Sequence, residues 1–202
     1  KTKKANSTLA WTEYYNQLHR DIPNEKFFFM NHGFDSIDKR DRIHWLKKED
    51  RLYLYNVQLL NYMIKDFNLA KKDILEIGSG RGGNCKILSE YFRPQNIVGL
   101  DFSRANIKFS KSVLGQTPIH FLEGDAEALP LGDSRFDFVI NIESSHCYKN
   151  LLNFYRETHR VLRPGGYFLY ADIMSKERVQ SLTRALTHCQ LKVLKSKDIT
   201  KN

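Results

Sequence analysis

Ile74-Leu75-Glu76-Ile77-Gly78-Ser79-Gly80-Arg81-Gly82-Gly83 is the stretch that decides the fold. It begins as a short apolar run and becomes a loop with four glycines. Glycines let the backbone approach a ligand closely, and a helix that follows presents free backbone N–H groups. The stretch therefore predicts a buried strand, a tight loop and a helix N-terminus that together hold a nucleotide-like ligand.

After residue 72 the chain alternates short apolar runs with helical patterns. Strands are predicted at residues 73–77, 96–101, 119–123, 136–141 and 167–172, with helices near 83–92, 103–114, 151–162 and 176–188. This βαβ alternation predicts an α/β fold of the Rossmann-like kind, with a mostly parallel sheet covered by helices on both faces.

The region before the first strand is aromatic-rich and helical in pattern. We therefore expect residues 1–70 to form a helical N-terminal leader and residues 71–202 to form the core of a single structural domain. Apolar side chains that recur every three or four residues predict one amphipathic helix packed on that core: Leu52, Tyr55, Leu59, Met63 and Phe67.

The composition is that of a globular domain with a basic balance. The 202 residues are 41% hydrophobic and 27% charged, which is enough for one domain with a sizeable core. Much of the net charge of +9 comes from lysines near the two ends, where a solvated tail explains it. No segment alternates basic and aromatic residues as a single-strand nucleic-acid groove would, so we expect no nucleic-acid partner.

Neither targeting nor metal binding is indicated. No window approaches the roughly 20 apolar residues that span a bilayer, and the first residues lead into polar sequence instead of an apolar signal core. The three cysteines, Cys85, Cys147 and Cys189, have no metal-ligand spacing. We therefore expect a soluble, cytoplasmic protein without a membrane span, a disulfide framework or a metal site.

The glycines at 78, 80 and 83 also satisfy the dinucleotide pattern GxGxxG, so an NAD-dependent oxidoreductase has to be considered. Glu76, two residues before the first glycine, favours a different ligand. A carboxylate there would repel a pyrophosphate but suits a cationic amino-acid moiety. Measuring which nucleotide binds separates the two possibilities.

Acidic residues also lie at the end of the second predicted strand and just after the third. Asp101 is placed to accept hydrogen bonds from two ribose hydroxyls, because a carboxylate offers two oxygens, and Phe102 could pack against an adenine. Asp125 could take the adenine amino group. For both aspartates, capping of the helix that follows remains an alternative.

Four motifs in order carry a resemblance: Glu-Ile-Gly-Ser-Gly-Arg-Gly at 76–82, Gly-Leu-Asp at 99–101, Gly-Asp-Ala at 124–126 and Arg-Val-Leu-Arg-Pro-Gly-Gly at 160–166. Over roughly residues 28–202 the chain resembles the class I S-adenosylmethionine-dependent methyltransferases. Residues 141–148 and 167–172 further resemble the small-molecule branch that methylates polyketide, lipid and phenolic hydroxyls. The phthiotriol/phenolphthiotriol dimycocerosate and, more distantly, the tocopherol methyltransferases belong to that branch.

The resemblance implies a site for S-adenosylmethionine and its product S-adenosylhomocysteine. It places the methionine part of the ligand at the first strand and its glycine loop, the ribose at the end of the second strand and the adenine at the end of the third. The sulfonium would lie above the end of the fourth strand, and an N-terminal lid would cover the whole ligand. The residues implied, in that order, are Glu76, Gly78, Ser79, Gly80 and Gly82; Asp101 and Phe102; Asp125 and Ala126; Asn141 and Ile142; and Phe28 and Asn31. A packed aromatic leader remains the alternative to a lid.

A hydroxyl acceptor needs a base, because its proton leaves as the methyl group arrives. His146, just beyond the fourth strand, is the best candidate, and Glu143 could orient its imidazole or help to position the substrate. A structural histidine in the cleft wall is the alternative. The implied acceptor is a hydrophobic small molecule.

Other functions stay open at this point. A C- or N-methyltransferase would use the same cofactor site, and an inactive cofactor-binding module could act through a partner. A nucleic-acid methyltransferase is disfavoured, because residues 141–144 read Asn-Ile-Glu-Ser instead of Asn/Asp-Pro-Pro-aromatic. The resembled fold also continues to a seventh, antiparallel strand, so we expect that strand to be missing and residues 191–202 to be poorly ordered or paired with an unusual neighbour.

Overall fold

A computed structural model describes residue 17, residues 27–36 and residues 38–200 of the protein. A five-stranded sheet in the order β3-β2-β1-β4-β5 forms the centre, and every neighbouring pair of strands is parallel. The strands are β1 (Asp73–Ile77), β2 (Asn96–Asp101), β3 (Ile119–Glu123), β4 (Phe136–Ile142) and β5 (Leu162–Ala171). The predicted α/β fold with a parallel sheet is confirmed.

Between residues 38 and 200, five α-helices surround this sheet: α1 (Leu54–Ile64), α2 (Gly83–Phe92), α3 (Arg104–Leu114), α4 (Leu151–Val161) and α5 (Lys176–His188). Short 3₁₀ helices cover Lys39–Asp41, Lys48–Tyr53 and Ser145–Cys147. None of the helices in the described part of the chain is long and apolar enough to cross a membrane.

Helices cover both faces of the sheet because its strands are apolar on both sides. Along β4, Phe138 and Ile140 belong to the core shared with α1, α2 and α3, whereas Val139 belongs to the core shared with α4 and α5. Alternate residues of a strand point to opposite faces, so one continuous apolar run supplies both cores.

The order of the strands positions the site. From β1 the chain runs outward through β2 to β3, then returns to the other side of β1 with β4. The connections therefore leave β1 and β4 in opposite directions, which opens a crevice beyond their carboxyl ends.

The predicted face of the first helix is wrong in part. Leu59 is buried as predicted, whereas Leu52 and Tyr55 are exposed by 78% and 55%, and Val57, Leu60 and Ile64 complete the buried face of α1. Apolar residues occur around most of this helix, so the contact with the sheet decides which of them are buried.

Two boundaries also differ from the prediction. Segment 27–36 contains no helix, because it lies across the crevice and its backbone bonds neighbouring elements: Phe34 N donates to Tyr55 O at 2.9 Å. The prediction for residues 1–26 lies, except for Gln17, outside the described residues. β5 begins at Leu162 instead of residue 167, with a register irregularity opposite Phe136 and Phe138.

The described part of the tail forms no strand. Lys195 Nζ lies 3.0 Å from an Asp66 carboxylate oxygen, Lys197 Nζ lies 5.1 Å from the Tyr62 ring centroid, and Ile199 packs on the core. Residues 191–200 thus follow the end of α1 and do not extend the sheet. Among the described strands, β5 pairs with β4 alone.

Replacement of Leu52 by Ala is expected to change the free energy of unfolding by less than about 0.5 kcal/mol, because an exposed side chain leaves no cavity. Urea denaturation measures this change. A loss above about 2 kcal/mol would place Leu52 in the core, as the sequence spacing predicted.

Candidate functional site

A cleft opens beyond the carboxyl ends of β1, β2 and β4, and residues 28–31 form one of its walls. Most of the residues that the sequence assigned to the site line it. These are Phe28, Asn31, Glu76, Gly78, Ser79, Gly80, Asp101, Phe102, Asp125, Ala126, Ile142 and Glu143. Gly82, Asn141 and His146 are not in the lining of this cleft.

The glycine loop after β1 forms a tight turn, as the sequence predicted. The backbone N–H groups of Gly78 and Ser79 both donate to Leu100 O, at 2.8 and 3.0 Å, which ties the loop to β2. Gly78 has φ +74°, and a Cβ added there would lie 2.2 Å from Ser144 Oγ. The positive φ and the close approach both require glycine at this position.

Gly82 serves the helix and not the cleft wall. It is the residue before α2, with φ +80°, and a Cβ added there would lie 2.8 Å from Phe121 Cζ. Its small size lets the start of α2 pack against Phe121, and the contact between Gly82 and the ligand stays a prediction.

Glu76 is buried at the floor of the cleft. Its carboxylate accepts hydrogen bonds from Asn84 Nδ2 at 2.8 Å and from the Cys85 thiol at 2.9 Å. Burial raises the pKa of Glu76 to about 7, against the lowering effect of these hydrogen bonds. A cationic ligand group would restore the balance in favour of the ionised carboxylate.

Asp101 ties the cleft together at the end of β2. One carboxylate oxygen accepts from Gly80 N at 2.7 Å, and the other accepts from Ser103 N at 2.8 Å and from Asn106 Nδ2 at 3.2 Å. Burial raises the pKa of Asp101. Ser103 caps α3 through its own hydroxyl, so Asp101 is not needed as the sole cap of that helix.

Three buried polar atoms in the cleft lining have no hydrogen-bond partner among the described residues: Ser79 Oγ, Asn84 Oδ1 and Asn106 Oδ1. Buried polar atoms are nearly always paired, so three orphans in one cleft indicate a polar ligand. They lie next to Glu76 and Asp101, and this set, made mostly of hydrogen-bond acceptors, fits an ammonium group next to ribose hydroxyls.

The third strand end is more open. Phe102 is 51% exposed at the cleft, where its ring could stack on a planar base. Asp125 accepts a hydrogen bond from Glu127 N at 2.8 Å, so it makes the local turn that the sequence left as its alternative role. Ala126 is buried against the core shared with α4 and α5.

The 27–34 segment packs over the glycine loop. A Cβ added to Gly83 would lie 2.9 Å from the Phe29 ring, and a Cβ added to Gly80 would lie 3.1 Å from Met30 Sδ. Asn56 Nδ2 donates to the side-chain oxygen of Asn31 at 2.8 Å. The segment is thus held from α1 while it forms the wall of the cleft.

Asn141 lies beneath the cleft and is fully buried. Its Nδ2 donates to Ile77 O at 2.8 Å and to Ser144 Oγ at 2.7 Å. The Asn141 side chain thus fixes the ends of β1 and β4 to each other. A contact with the sulfonium, which the resemblance implied mostly through backbone carbonyls, stays a prediction. Ile142 does line the cleft.

Glu143 lines the cleft next to Ile142 and has a left-handed backbone, with φ +48°. Its carboxylate accepts from His32 N at 2.9 Å and lies 2.6 Å from His32 Nδ1. The prediction that Glu143 orients His146 is wrong, because Glu143 holds the N-terminal segment against the end of β4.

His146 is oriented by Asp172, which sequence reasoning did not assign. His146 Nδ1 lies 2.7 Å from Asp172 Oδ1, and the Asp172 side chain is fully buried. His146 follows β4 and Asp172 follows β5, and adjacent parallel strands end at the same edge of a sheet. An acidic residue directly after a predicted strand was the signal available in the sequence.

The contact between His146 and Asp172 shifts the pKa values of both groups. The hydrogen bond to Asp172 raises the pKa of His146 to about 10, with a further contribution from the Cys147 side chain. The same contact lowers the pKa of Asp172 against its burial. His146 is 27% exposed, and its neighbour Cys147 lines the cleft.

Fold and site together define a Rossmann-like domain with a cleft lined by polar groups at the point where the strand order reverses. No group of three or more metal-ligating side chains occurs in the described ranges. Residues 75–170 match the family described as Methyltransferase domain.

Two curated relatives extend the comparison. Fatty-acid O-methyltransferase of Mycolicibacterium smegmatis is 35% identical over 92% of this chain and 67% of its own length. Phthiotriol/phenolphthiotriol dimycocerosates methyltransferase of Mycobacterium tuberculosis is 32% identical over 94% of this chain and 70% of its own length. A solved complex of the Haloferax volcanii Trm112 methyltransferase activator with a methyltransferase shares the fold, with a TM-score of 0.66, 21% identity and coverage of 80% of this chain and 76% of that chain.

The chain belongs to the class I S-adenosylmethionine-dependent methyltransferases, in the branch of the two mycobacterial relatives.

Proposed function

We propose that the protein binds S-adenosylmethionine in the cleft and transfers its methyl group to an oxygen of a hydrophobic small molecule. The polar atoms of Ser79, Asn84 and Asn106 that have no hydrogen-bond partner among the described residues lie next to the carboxylates of Glu76 and Asp101. This observation supports binding of the methyl donor. S-adenosylmethionine is consumed in the reaction, so it is a substrate and not a resident group.

Each part of the methyl donor has a partner of matching chemistry. Glu76 would face its ammonium group, Asp101 its ribose hydroxyls, and Phe102 with Asp125 its adenine. Gly78 and Gly80 give the backbone room to approach the amino-acid part. These residues would fix the donor so that the acceptor meets the methyl group in line, and such alignment supplies much of the rate in a displacement.

The acceptor half of the proposal rests on the wall of the cleft and on the relatives. Phe28, Phe29 and Ile142 give the cleft apolar surface, and the two mycobacterial relatives are named for a fatty acid and for phthiotriol dimycocerosates. The hydroxyl acceptor expected from the sequence and the acid acceptor of the first relative are both oxygen nucleophiles.

Replacement of Asp101 by Ala is expected to weaken S-adenosylhomocysteine binding 10- to 100-fold, about 1.5–3 kcal/mol, the range for hydrogen bonds to a charged group. Calorimetric titration measures this loss, with NAD titrated in parallel. The wild type should bind S-adenosylhomocysteine and not NAD, because Glu76 disfavours a pyrophosphate at the glycine loop.

A matched control is Asp133→Ala, which removes a carboxylate that is 74% exposed on the surface. This variant should bind S-adenosylhomocysteine like the wild type. An unchanged affinity in the Asp101 variant would leave that residue a purely structural role, and NAD binding of comparable strength would reject the proposed function.

A further inference from the structure

Two hydroxyl groups that follow β4 lie against the glycine loop. They belong to Ser144 and Tyr148, the hydroxyl pair, and both side chains line the cleft. A Cβ added to Gly78 would lie 2.2 Å from Ser144 Oγ and 3.2 Å from Tyr148 OH. The hydroxyl pair is therefore next to the loop that, by the proposed function, receives the amino-acid part of the methyl donor.

Asn141 supplies a hydrogen bond to the hydroxyl pair from below. Its Nδ2 donates to Ile77 O at 2.8 Å, and because a carbonyl oxygen only accepts, this contact fixes which end of the amide is the nitrogen. The second N–H of the amide lies 2.7 Å from Ser144 Oγ and 3.1 Å from Tyr148 OH, measured from Nδ2. The hydroxyl oxygens thus act as acceptors toward Asn141, and their own protons remain for other partners.

The hydroxyl pair has two protons and uses one of them internally. Ser144 Oγ and Tyr148 OH are 2.8 Å apart, so one hydroxyl donates to the other. Within the described ranges, neither hydroxyl has a further acceptor. Burial raises the pKa of the Tyr148 hydroxyl, so that group keeps its proton at neutral pH. The pair therefore offers one hydrogen bond to an acceptor group in the cleft.

The rest of the cleft lining suits cations and hydroxyl groups better than an anion. Among the described residues it includes one cation, Lys149, and five acidic side chains: Glu76, Asp101, Asp125, Glu127 and Glu143. The ammonium and the carboxylate of an amino-acid group share one carbon. A ligand whose ammonium faces Glu76 must therefore place its carboxylate near the glycine loop, where the acidic lining repels it.

The backbone of the glycine loop cannot supply the hydrogen bonds that such a carboxylate needs. The N–H groups of Gly78 and Ser79 both donate to Leu100 O. The N–H group of Gly80 donates to the Asp101 carboxylate. What remains is hydroxyl groups: that of Ser79 in the loop itself, and the hydroxyl pair that lies against the loop.

Resting on the proposed function, we infer that the hydroxyl pair of Ser144 and Tyr148 binds the carboxylate of the methyl donor. One hydroxyl donates to a carboxylate oxygen, and the other donates to its partner hydroxyl. Asn141 is a positioning residue, because it holds both hydroxyl oxygens without contacting the ligand. The pair determines specificity: it lets an acidic cleft prefer a complete amino-acid group to a simple amine.

Two ligands that differ in the carboxylate test this inference: S-adenosylhomocysteine and its decarboxylated analogue, which keeps the adenosine, the thioether and the amine. Each is titrated calorimetrically into the wild-type protein. S-adenosylhomocysteine should bind about 10-fold more tightly than the analogue, or better, as expected for a hydrogen bond to a charged group. The acidic lining alone predicts the reverse order, because the analogue carries more net positive charge.

Variants of the hydroxyl pair should change this preference in a non-additive way. The double variant Ser144→Ala/Tyr148→Phe should lose most of it. Each single variant should keep part of it, because the remaining hydroxyl still accepts from Asn141 and has its own proton free. Tyr167→Phe, which alters an exposed tyrosine on β5, is the matched control and should keep all of it. A general loosening of the cleft would weaken both ligands alike, so the ratio of the two affinities reports the contact with the carboxylate.

Four results would each overturn the inference: equal binding of the two ligands by the wild type, tighter binding of the analogue, an undiminished preference in the double variant, or complete loss of the preference in both single variants. The wild-type comparison needs no variant, so it tests the inference even if the double variant does not fold. The proposed function fails separately, when neither ligand binds the wild type.

Discussion

Gly78→Ala is expected to lower the free energy of unfolding by about 2–4 kcal/mol and to abolish measurable S-adenosylhomocysteine binding. The left-handed backbone costs a residue with a Cβ roughly 1 kcal/mol or more. In addition, the new Cβ would meet Ser144 Oγ at 2.2 Å, and overpacking of this kind costs about 1–3 kcal/mol. Relief of the clash requires the loop or the end of β4 to move, and both line the cleft.

Gly165→Ala is the matched control, because Gly165 has φ +79° but nothing within 4 Å of the added Cβ. Its loss of stability should be near 1 kcal/mol, and binding should be unchanged. Urea denaturation and calorimetric titration of both variants separate backbone strain from steric conflict. Equal losses in the two variants would show that the contact with Ser144 relaxes freely.

The first four strands could be predicted nearly to the residue because parallel strands buried on both faces read as unbroken apolar runs. β5 was harder. The sequence Arg163-Pro164-Gly165-Gly166 resembles a stop between a helix and a strand, yet the chain enters the sheet already at Leu162, and the glycines are accommodated as an irregularity beside β4. Local patterns do not reveal pairing of this kind.

In the site, the sequence identified residues but not their pairings. The sequence pointed to Glu76 and Asp101, which both line the cleft, because each lies near the end of a strand at the edge where ligands bind. For Glu143, a neighbour of His146 in sequence, orienting the imidazole was one of two roles considered, whereas in the structure His146 contacts Asp172, 26 residues further on. That pairing depends on β5 lying next to β4, and strand order is a tertiary property.

Because the pKa of Glu76 is raised, its replacement should change stability and ligand binding in opposite directions. A carboxyl whose pKa rises from 4.5 to about 7 on folding binds protons more tightly in the folded state. The contribution of Glu76 to the free energy of unfolding therefore falls by about 3 kcal/mol in total as the pH rises from 4.5 to 7. Above pH 7 it is constant. Glu76→Gln cannot ionise and should avoid that loss.

The ligand-free Glu76→Gln variant is accordingly expected to unfold with a free energy up to about 3 kcal/mol higher than the wild type at pH 8, and with little difference near pH 4.5. A flipped Asn84 amide can accept from the new amide, because Asn84 Oδ1 has no partner among the described residues. Denaturation across this pH range measures the difference. Glu123→Gln, 54% exposed at the end of β3, is the control that should show none.

Binding should change in the other direction. S-adenosylhomocysteine carries an ammonium group, which the ionised Glu76 would pair, so the Gln variant should bind it 10- to 100-fold more weakly at pH 8. Near pH 5.5 the wild-type carboxyl is mostly protonated, and the two affinities should converge. If the Gln variant is more stable but binds S-adenosylhomocysteine as tightly as the wild type at pH 8, Glu76 does not contact the ligand. If the variant is instead less stable at pH 8, the hydrogen bonds from Asn84 and Cys85 outweigh the cost of burying the charge.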